Sequence, residues 1–387
     1  MKILHLGTDE KFIDYAVDIF ESVYPNSNDV IIFSKQKKLN FVKSKVSRIF
    51  LINLFNRFRP KISKDIYQEY DLVVFHSFAD ILYPEVFNIA LGTPSIWLGW
   101  GYDYYGIIGN ESELLLSETN QLCKSNVKQI IRSGLGRLLT RSLRLAGVAK
   151  AKTDAINKLT LFSPVLPNEY GLVKDSHLWK RFPKQAFWNY GTLEDHFIKG
   201  FENSSVDGND ILLGNSASAT CNHKETLQLL NGFRLTSNRL IITPLSYGSN
   251  VYGKKISAIG NKLFGKNFLP LFKFMPVQDY VKIIKQCGYV IMNHRRQQAV
   301  GNIIIMLYLG AHVFLREENP TYHFLKNLGV KVSSVQQLED NHDLLNTPLT
   351  AQQQLRNKQI VTEYWSREKG IFNTKGLVEQ ALAEMDK

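Results

Sequence analysis

The chain has 387 residues, and because a single hydrophobic core stops growing near about 250 to 300 residues, we expect two domains. Hydrophobic residues make up 44% of the chain and charged residues 21%, a balance that excludes global disorder. The formal net charge of +12 favours an anionic partner.

Short apolar runs alternate with an amphipathic stretch in the first half of the chain. The predicted elements are a strand from Lys2 to Leu6, a helix from Phe12 to Phe20, and strands from Val30 to Phe33, Leu72 to His76 and Ser95 to Leu98. This strand and helix rhythm predicts a parallel, doubly wound sheet.

A second start of the same kind follows the polar loop from Asn203 to Asp210. The apolar strand from Ile211 to Leu213 leads into the small residues Gly214 to Thr220 and then into a helix from His223 to Leu230. Later predicted strands are Arg239 to Ile242, Tyr289 to Met292, Ala311 to Phe314 and Lys331 to Val332, with helices at Asp279 to Gln286 and Gly301 to Leu309. A polar segment, Gln352 to Lys369, and a last helix, Gly376 to Lys387, close the chain.

These elements predict an α/β protein with two Rossmann-like domains facing a central cleft. We place the first domain at residues 1–203, the second at 204–370 and a C-terminal helix at 371–387. Ligands of open α/β sheets bind at the carboxyl ends of the strands, so the loops that follow strands are where function is expected.

The cysteines and the apolar stretches bear on the compartment. Cys123, Cys221 and Cys287 have no paired spacing, which argues against a disulfide framework or a zinc knuckle and favours a reducing compartment. The N-terminus runs directly into a short strand, so we expect no signal peptide. The strongly apolar stretch from Ile303 to Phe314 is shorter than the about 20 residues of a bilayer span, and no membrane-crossing helix is predicted.

The positive charge is concentrated in two segments of the first half. Residues 35–64 contain ten basic residues and residues 124–152 contain eight, with no acidic residue in either. Without these 18, the chain has 29 basic and 35 acidic residues. Because large apolar residues are interleaved with the bases, both segments resemble helices that lie on an anionic membrane surface. The alternatives are a solvated basic face of an ordinary helix, or nucleic-acid binding, which no recognised motif supports.

Three loops of the second half are candidates for binding a nucleotide. Gly214, Asn215, Ser216 and Ser218 stand between a strand and a helix, where backbone N–H groups favour phosphate, although simple helix capping gives the same pattern. Arg296, Gln297 and Gln298 follow the strand that ends at Met292, and an arginine fork suits a diphosphate. Glu318 and Asn319 follow a further strand, where a carboxylate could bind ribose hydroxyls or serve only in a turn.

Four residues at strand ends of the first half could act on the acceptor. Deprotonating a sugar hydroxyl requires a carboxylate or histidine within hydrogen-bond reach, and Asp9, Glu10, His76 and Asp103 are the groups in that position. The sequence does not rank them. No Asp-x-Asp metal signature occurs, so no metal and no other cofactor is predicted.

At these residues the chain resembles glycosyltransferase family 56, the 4-acetamido-4,6-dideoxygalactose (Fuc4NAc) transferases of bacterial surface-polysaccharide assembly. The resemblance rests on Trp100 to Tyr105, on Gly214 to Ser216, on Pro244 to Gly248 with Tyr247, and on Phe274 to Pro276 with Met275 and Tyr280. Its most specific part is Arg296-Gln297-Gln298 with Gly301 and Asn302, followed by Glu318-Asn319-Pro320. It spans roughly residues 1 to 340.

The resemblance implies a GT-B fold and a metal-independent hexosyltransferase. Its donor would be a dTDP-activated deoxyamino sugar, with Arg296 neutralising the leaving diphosphate. The residues that would bind this donor are Gly214, Asn215, Ser216, Ser218, Tyr247, Met275, Tyr280, Arg296, Gln297, Gln298, Gly301, Asn302, Glu318 and Asn319. Its acceptor would be an undecaprenyl-diphosphate-linked saccharide at the cytoplasmic face of the bacterial inner membrane, as in O-antigen or enterobacterial common antigen synthesis.

The chain departs from the family pattern after Ser216 and by the extra acid in Arg316-Glu317-Glu318-Asn319-Pro320, so a related sugar such as 4-acetamido-4,6-dideoxyglucose (Qui4NAc) is an alternative donor sugar. Two further alternatives are a GT-B transferase that uses a UDP-sugar or ADP-heptose, and a non-catalytic membrane-binding scaffold with a transferase fold.

Overall fold

The computed structural model describes residues 1–53, 59–124, 150–233, 235 and 238–384. These residues form two compact units. Of the described residues, unit 1 comprises 1–109, 150–192 and 367–384, and unit 2 comprises 110–124 and 193–366.

Unit 1 is built on a seven-stranded parallel sheet with strand order β3-β2-β1-β4-β5-β6-β7. Its strands are β1 (Ile3–Thr8), β2 (Asn28–Ser34), β3 (Arg48–Leu51), β4 (Leu72–His76), β5 (Ser95–Leu98), β6 (Leu161–Ser163) and β7 (Lys184–Gln185). Its helices with defined bounds are α1 (Phe12–Val23), α2 (Lys64–Tyr67), α3 (Tyr102–Ile108), α5 (Glu169–Lys174) and α13 (Arg367–Ala383). In the central pair, Ile3 of β1 lies opposite Leu72 of β4.

The core of unit 1 lies between the sheet and the helices α1 and α13. Every residue of β4 and β5 is buried, as expected of parallel strands that are covered on both faces. Helix α1 turns Ala16, Ile19 and Phe20 towards this core at helical spacing, and α13 contributes Leu377 and Val378 to the same cluster. The core therefore holds the carboxyl ends of β1, β4 and β5 in fixed positions.

In its described residues, the first basic segment, 35–64, is not the helix that its composition predicts. Its described residues form the edge strand β3, loops and the first residue of the short helix α2. Asp9 and Asp14 each accept hydrogen bonds from backbone N–H groups of residues 40–44, which ties the segment to the end of β1 and to α1. Lys35, Lys37 and Lys38 are nevertheless exposed. The second basic segment, 124–152, lies outside the described residues except at its ends.

Unit 2 contains a six-stranded parallel sheet with strand order β10-β9-β8-β11-β12-β13. Its strands are β8 (Ile211–Leu213), β9 (Ile241–Pro244), β10 (Phe268–Leu271), β11 (Tyr289–Met292), β12 (His312–Leu315) and β13 (Ser333–Ser334). Its helices are α4 (Ser117–Lys124), α6 (His223–Asn231), α7 (Asn250–Phe264), α8 (Val277–Ile284), α9 (Val300–Leu309), α10 (Pro320–Asn327), α11 (Val335–Asp340) and α12 (Ala351–Tyr364). At the centre of the sheet, Tyr289 of β11 lies opposite Ile211 of β8.

Unit 2 includes two helices, α9 and α4, that come from distant parts of the chain. Helix α9 is buried on all sides from Ile303 to Leu309, which is why this apolar stretch reads almost like a membrane segment. Helix α4 lies against α6, where the Thr119 N–H and hydroxyl both donate to the Glu225 carboxylate, at 2.8 and 2.5 Å. Residues 110–124 thus belong to unit 2 although residues 150–192, which separate them from the rest of that unit, belong to unit 1.

Most predicted elements are present within one or two residues of their predicted ends, and β4, β5, β8 and β11 have the predicted bounds. The polar segment from Gln352 forms helix α12, and the last helix begins nine residues earlier than predicted, at Arg367. The chain passes from unit 1 to unit 2 at Thr192 and Leu193 and returns at Arg367, so the last helix is part of unit 1. No helix in the described ranges is long and apolar enough to cross a membrane.

Candidate functional site

The candidate donor site lies at the carboxyl ends of the neighbouring strands β8, β11 and β12 of unit 2. The loop after β8 contains Gly214 to Asn222, the loop after β11 contains Asn293 to Ala299, and the loop after β12 contains Arg316 to Asn319. Since parallel strands end at one edge of the sheet, these three predicted loops come together there.

The loop after β8 depends on glycine at position 214. Gly214 has φ of +66° and donates its N–H to Ile291 O at 3.0 Å. A Cβ at this position would lie 2.6 Å from the Nε2 atom of the buried His223, so a side chain is excluded both by the backbone conformation and by space. The loop then passes through Asn222, also left-handed with φ of 50°, into α6.

Gln298 joins the loop after β11 to the loop after β8. Its Oε1 accepts from the Thr220 hydroxyl at 2.6 Å, and its Nε2 donates to Asn215 Oδ1 at 2.8 Å. The Ser216 hydroxyl and the Cys221 sulfur lie 3.5 and 3.3 Å from the same nitrogen. Because these partners come from one loop, the amide holds both loops in a fixed relative position.

Arg296 lies in this group beside the buried His294, which itself lies near the buried His223. Arg296 is half-buried, and its charge lies near both Cys221 and His294. Burial, the Arg296 charge and His223 hold the pKa of His294 well below its ordinary value. Neither ring nitrogen of His294 has a partner among the described residues, and the same is true of His223 Nε2. A charged guanidinium next to neutral, partly unsatisfied imidazoles is an environment suited to an anion.

The N-terminus of α9 completes this part of the site. Ala299 caps the helix with φ of +64°, and Gly301 and Asn302 lie in its half-buried first turn. A Cβ on Gly301 would approach the Phe197 ring at 3.3 Å, which favours glycine there. The free N–H groups and the dipole of a helix N-terminus attract phosphate oxygens.

Arg316 organises the loop after β12. Its guanidinium donates to Asn293 Oδ1 at 3.1 Å and to Glu318 Oε2 at 3.2 Å. Gln336 donates to the same Glu318 oxygen at 2.7 Å. Burial raises the pKa of the Glu318 carboxyl, but hydrogen bonds from its own N–H, Arg316 and Gln336 outweigh that effect and leave its pKa lowered. Glu318 is thus an ionised, exposed acceptor at this edge.

Asn319 is the N-cap of α10, where its Oδ1 accepts from Thr321 N at 2.9 Å. The side chain is fully buried, and its Nδ2 atom has no partner among the described residues. Asn319 therefore has a structural role at the start of α10, and its unsatisfied amide leaves room for a ligand contact as well.

The remaining predicted donor-side residues are spread around these loops. Ser218 donates to or accepts from Thr220 at 2.8 Å, and Gln297 is buried beside Gln298. Tyr247 is 62% exposed, and its carbonyl accepts from Ala217 N at 2.6 Å, so it adjoins the loop after β8. Met275 and Tyr280 follow β10, further along the sheet edge, where the Tyr280 hydroxyl is buried.

Three of the four predicted acceptor-side groups in unit 1 are occupied by internal hydrogen bonds. Asp9 accepts from the N–H groups of residues 40, 41 and 42 at 2.6, 3.0 and 3.1 Å. Asp103 is buried and accepts from Phe78 N, Trp97 Nε1 and Trp100 N at 2.7, 2.7 and 2.9 Å. Both carboxylates order the loops around them, so we no longer assign them as a catalytic base.

His76 belongs to a buried chain of side chains. His5 Nε2 lies 3.1 Å from Asn28 Oδ1, His5 Nδ1 lies 2.9 Å from His76 Nε2, and His76 Nδ1 lies 3.0 Å from the Tyr190 hydroxyl. Since Asn28 Oδ1 only accepts, the bonds fix one tautomer of each ring. Burial and the neighbouring His5 hold the pKa of His76 well below 6.5. His76 is therefore a structural residue.

Glu10 is the acceptor-side candidate that stays available. It is half-buried directly after β1, and no hydrogen bond to another described residue engages its carboxylate. Burial raises the pKa of Glu10, the Asp9 charge raises it further, and Lys11 partly offsets both. A carboxylate with a raised pKa at the carboxyl end of a strand has the properties of a general base.

Sequence reasoning missed the buried and supporting residues of the donor site. His223 was read only as the first residue of a helix, His294 was not singled out, and Arg316 was read only as the first residue of the turn that contains Glu318. Their burial and their contacts depend on the packing of β8, β11 and β12, which periodicity does not reveal. Within the described ranges, no group of three or more His, Cys, Asp or Glu side chains could hold a metal ion.

Comparison with known sequences identifies a family over part of the chain. Residues 180–362 match the profile described as 4-alpha-L-fucosyltransferase, glycosyl transferase group 56. The match includes all three loops of the candidate donor site, and it confirms the resemblance to family 56 there. The residues of β1, β4 and β5 lie outside it.

Comparison with solved structures identifies the fold. Sucrose-phosphate synthase from Thermosynechococcus elongatus superposes with a TM-score of 0.63 at 8% identity, covering 99% of this chain and 100% of that one. The lipopolysaccharide outer core galactosyltransferase WaaB gives 0.62 at 10% identity, covering 98% and 99%. HepE from Anabaena, in complex with UDP, gives 0.61 at 12% identity, covering 98% and 100%. These are GT-B glycosyltransferases, and the predicted GT-B fold is confirmed.

Proposed function

We propose that this chain, a GT-B glycosyltransferase with the family 56 pattern in residues 180–362, transfers a deoxyamino sugar from a dTDP-sugar to a lipid-linked saccharide. The sugar would be Fuc4NAc or a relative such as Qui4NAc, and the product would enter a bacterial surface polysaccharide. The reaction would need neither a metal nor another cofactor.

One observation carries the donor half of this proposal. Gln298 joins the Gly214 loop to the loop that contains Arg296 and leads into the N-terminus of α9. Backbone N–H groups, a helix dipole and a guanidinium are thereby brought to one sheet edge, and together they suit the two phosphates of a nucleoside diphosphate. Glu318, ionised at the next strand, would accept hydrogen bonds from the ribose hydroxyls.

The chemical step assigns one role to each unit. The acceptor oxygen forms a bond to C1 of the sugar while the bond from C1 to the diphosphate oxygen breaks. Arg296 and the amides stabilise the negative charge that develops on the leaving diphosphate. Glu10 accepts the proton of the attacking hydroxyl, for which its raised pKa is suited.

The exposed lysines of unit 1 support the acceptor half. Lys35, Lys37 and Lys38 project from the chain near the edge strand β3, and exposed lysines attract anionic lipid. We propose that segment 35–64, together with 124–152, holds the enzyme peripherally at the cytoplasmic face of the inner membrane, where an undecaprenyl-diphosphate-linked acceptor is present.

Thermal-shift titration tests the donor assignment. The purified protein is titrated with dTDP, UDP, GDP and ADP, each with and without EDTA, because a ligand that binds the native state raises the melting temperature by mass action. We expect a shift that is selective for dTDP and unchanged by EDTA.

The other outcomes assign the alternatives. A shift with UDP alone would move the donor to UDP-sugars, a nucleotide present in the HepE complex, and a shift with ADP would favour ADP-heptose. A dTDP shift abolished by EDTA would contradict metal independence. If no nucleotide shifted the melting temperature, the non-catalytic scaffold would become the better explanation.

A further inference from the structure

A third acid-free segment lies in unit 2, outside the two basic segments described above. Residues 226–278 contain seven basic residues and no acidic one. The segment includes β9 and β10, which form one end of the six-stranded sheet, and the helix α7 between them in the chain. The positive charge of the chain is thus not confined to its first half.

The segment exposes apolar side chains next to its lysines. Val251 and Phe274 are 60% and 63% exposed, and Phe272 is 41% exposed. Lys254 and Lys273 are exposed beside them, and neither forms an ion pair with a described acidic residue. We call Val251, Lys254, Phe272, Lys273 and Phe274 the Phe–Lys face.

The Phe–Lys face is continuous across two elements. Val251 and Lys254 lie in the first turns of α7, and the ring of Phe272 lies 3.4 Å from the position of a Cβ on Gly253, which adjoins Lys254. Further along α7, Ala258 and Lys262 are exposed at helical spacing from Lys254. The opposite side of the helix is buried in the core of unit 2, through Tyr252 and Ile256.

The combination of positive charge and exposed apolar surface indicates which partner the Phe–Lys face binds. An ordinary solvated helix face would show exposed lysines but no exposed phenylalanines. Exposed phenylalanines without lysines would fit any apolar partner. Phe–Lys–Phe beside an exposed valine combines rings that can enter the headgroup region with cations that meet anionic headgroups. We propose that the Phe–Lys face is a second membrane-contact surface, which binds anionic lipid headgroups through unit 2.

The place of the Phe–Lys face at the sheet edge bears on the proposed function. The inference rests on that function for its membrane setting. Phe272 and Phe274 follow β10 at the same carboxyl edge of the sheet as the candidate donor loops. Contact at this edge would keep the donor site of unit 2 near the headgroup layer in which a lipid-linked acceptor resides.

Vesicle sedimentation of the full chain tests the inference. Vesicles contain phosphatidylcholine alone, or two parts of it to one part of phosphatidylglycerol. Two double variants, F272S/F274S and K254Q/K273Q, are compared with controls in α13, Phe372→Ser at 69% exposure and Lys375→Gln at 66% side-chain exposure. We expect each double variant to lower the affinity for the anionic vesicles about tenfold, with the lysine pair losing its effect at high salt. The controls should bind as the wild type does.

Parallel thermal-shift titration with dTDP separates this inference from the proposed function. If both double variants bind anionic vesicles like the wild type, the Phe–Lys face is not a membrane surface, whatever the nucleotide results. If F272S/F274S loses the dTDP shift but keeps vesicle binding, the rings belong to the donor site and the inference is wrong. If the variants lose only binding to a single-stranded oligonucleotide, the face binds nucleic acid and the inference is equally wrong. Lost vesicle binding with a retained dTDP shift supports it.

Discussion

The two carboxylates Glu10 and Asp103 have opposite environments and should respond differently to the loss of charge. Asp103 accepts three N–H hydrogen bonds in the core, so Asp103→Asn places an amide N–H₂ where donors converge. We expect this variant to lower the free energy of unfolding by about 3 kcal/mol, as for other buried charged hydrogen bonds. Denaturant unfolding followed by circular dichroism measures it.

Glu10→Gln should leave the free energy of unfolding nearly unchanged and lower turnover by about 100-fold or more, the scale of a lost general base. Because burial raises the pKa of Glu10, the wild-type rate should fall as the pH drops through that pKa, and the variant should lack this acid limb. A variant with wild-type turnover and an unchanged pH profile would show that the base lies elsewhere.

Arg296 tests the proposed stabilisation of the leaving diphosphate. Arg296→Ala removes a positive charge beside the α9 N-terminus, and we expect turnover to fall by about 100-fold, the cost of removing one electrostatic stabiliser. Arg296→Lys keeps the charge but loses the planar fork, so its turnover should be intermediate. Steady-state transfer from dTDP-sugar measures both.

The control for this measurement is Arg181→Ala, an exposed arginine of unit 1, which should transfer sugar at the wild-type rate. Equal rates for Arg296→Ala and wild type would remove Arg296 from the mechanism.

Residue roles were the least predictable part of the site. Asp9 and His76 lie at the ends of β1 and β4 as predicted, whereas Asp103 lies in the first turn of α3, after β5. The sequence could not reveal that each of the three already has its hydrogen-bond partners. Those partners are far away in the sequence: Asn40 to Val42 for Asp9, His5 and Tyr190 for His76. The end of a strand indicates where a side chain lies in the fold. The hydrogen bonds that occupy this side chain arise only from tertiary packing.

At the scale of elements, the β8 to α6 loop is the part of the donor site most sensitive to backbone change. Gly214→Ala would meet both a left-handed φ of +66° and the His223 ring at 2.6 Å. We expect a loss of about 2 to 3 kcal/mol in the free energy of unfolding, from backbone strain and displaced packing. We also expect loss of the dTDP-induced rise in melting temperature.

A matched control exists at the C-cap of α7. Gly265 has φ of +53°, and a Cβ there would meet nothing within 4 Å. Its ψ of −125° adds a backbone conformation that disfavours any side chain, so Gly265→Ala should show only backbone strain, about 1 to 3 kcal/mol, and an unchanged response to dTDP. Equal effects of the two substitutions on nucleotide binding would mean that the space beside His223 does not matter.

Elements were predicted well where the local pattern and the tertiary role agree. The apolar runs of β4, β5, β8 and β11 are buried on both faces, so their apolar composition alone identifies them as strands. The helical interpretation of segment 35–64 was wrong for its described residues, which form an edge strand and loops that Asp9 and Asp14 hold by hydrogen bonds. Strand β10 and helix α7 were not predicted, because the lysine-rich and aromatic run that contains them was not recognised as a helix and a strand.

At the scale of the whole molecule, the strand and helix rhythm sufficed to predict two Rossmann-like domains. It could not predict that residues 110–124 join unit 2 or that α13 returns to unit 1. These assignments rest on side-chain contacts such as Thr119 with Glu225 and Trp188 with Thr374, the last across 186 positions. Contacts of that range leave no periodic signal in either partner.

Both units bury histidines in neutral form, which makes the stability of the whole molecule dependent on pH. Burial lowers the pKa of His5 to about 4 and that of His223 to about 3. Burial also lowers the pKa of three others: His76, His294 and His312. In the unfolded chain a histidine titrates near about 6.5. Below that pH the unfolded state binds more protons, so stability falls as the pH drops from 6.5 towards each folded pKa.

The size of this effect follows from the lowered pKa values of His5 and His223. In the window from pH 6.5 to about 4, His5 and His223 should together cost up to about 2.7 kcal/mol per pH unit, at about 1.4 kcal/mol each. Glu10, Glu85 and Asp103 have raised pKa values and act in the opposite sense. The five buried histidines outnumber these three carboxyl groups, so we expect the net effect of acidification below pH 6.5 to be destabilising.

Urea unfolding at pH 7.5, 6.5, 5.5 and 4.5, followed by circular dichroism, measures this dependence, and the free energy of unfolding should decline steadily from pH 6.5 downwards. His177 is exposed, so His177→Gln should reproduce the wild-type decline. Because the histidines lie in both units, the decline should persist even if the units unfold separately, each showing its own transition. A free energy of unfolding that stayed constant between pH 6.5 and 5 would contradict neutral burial of these side chains.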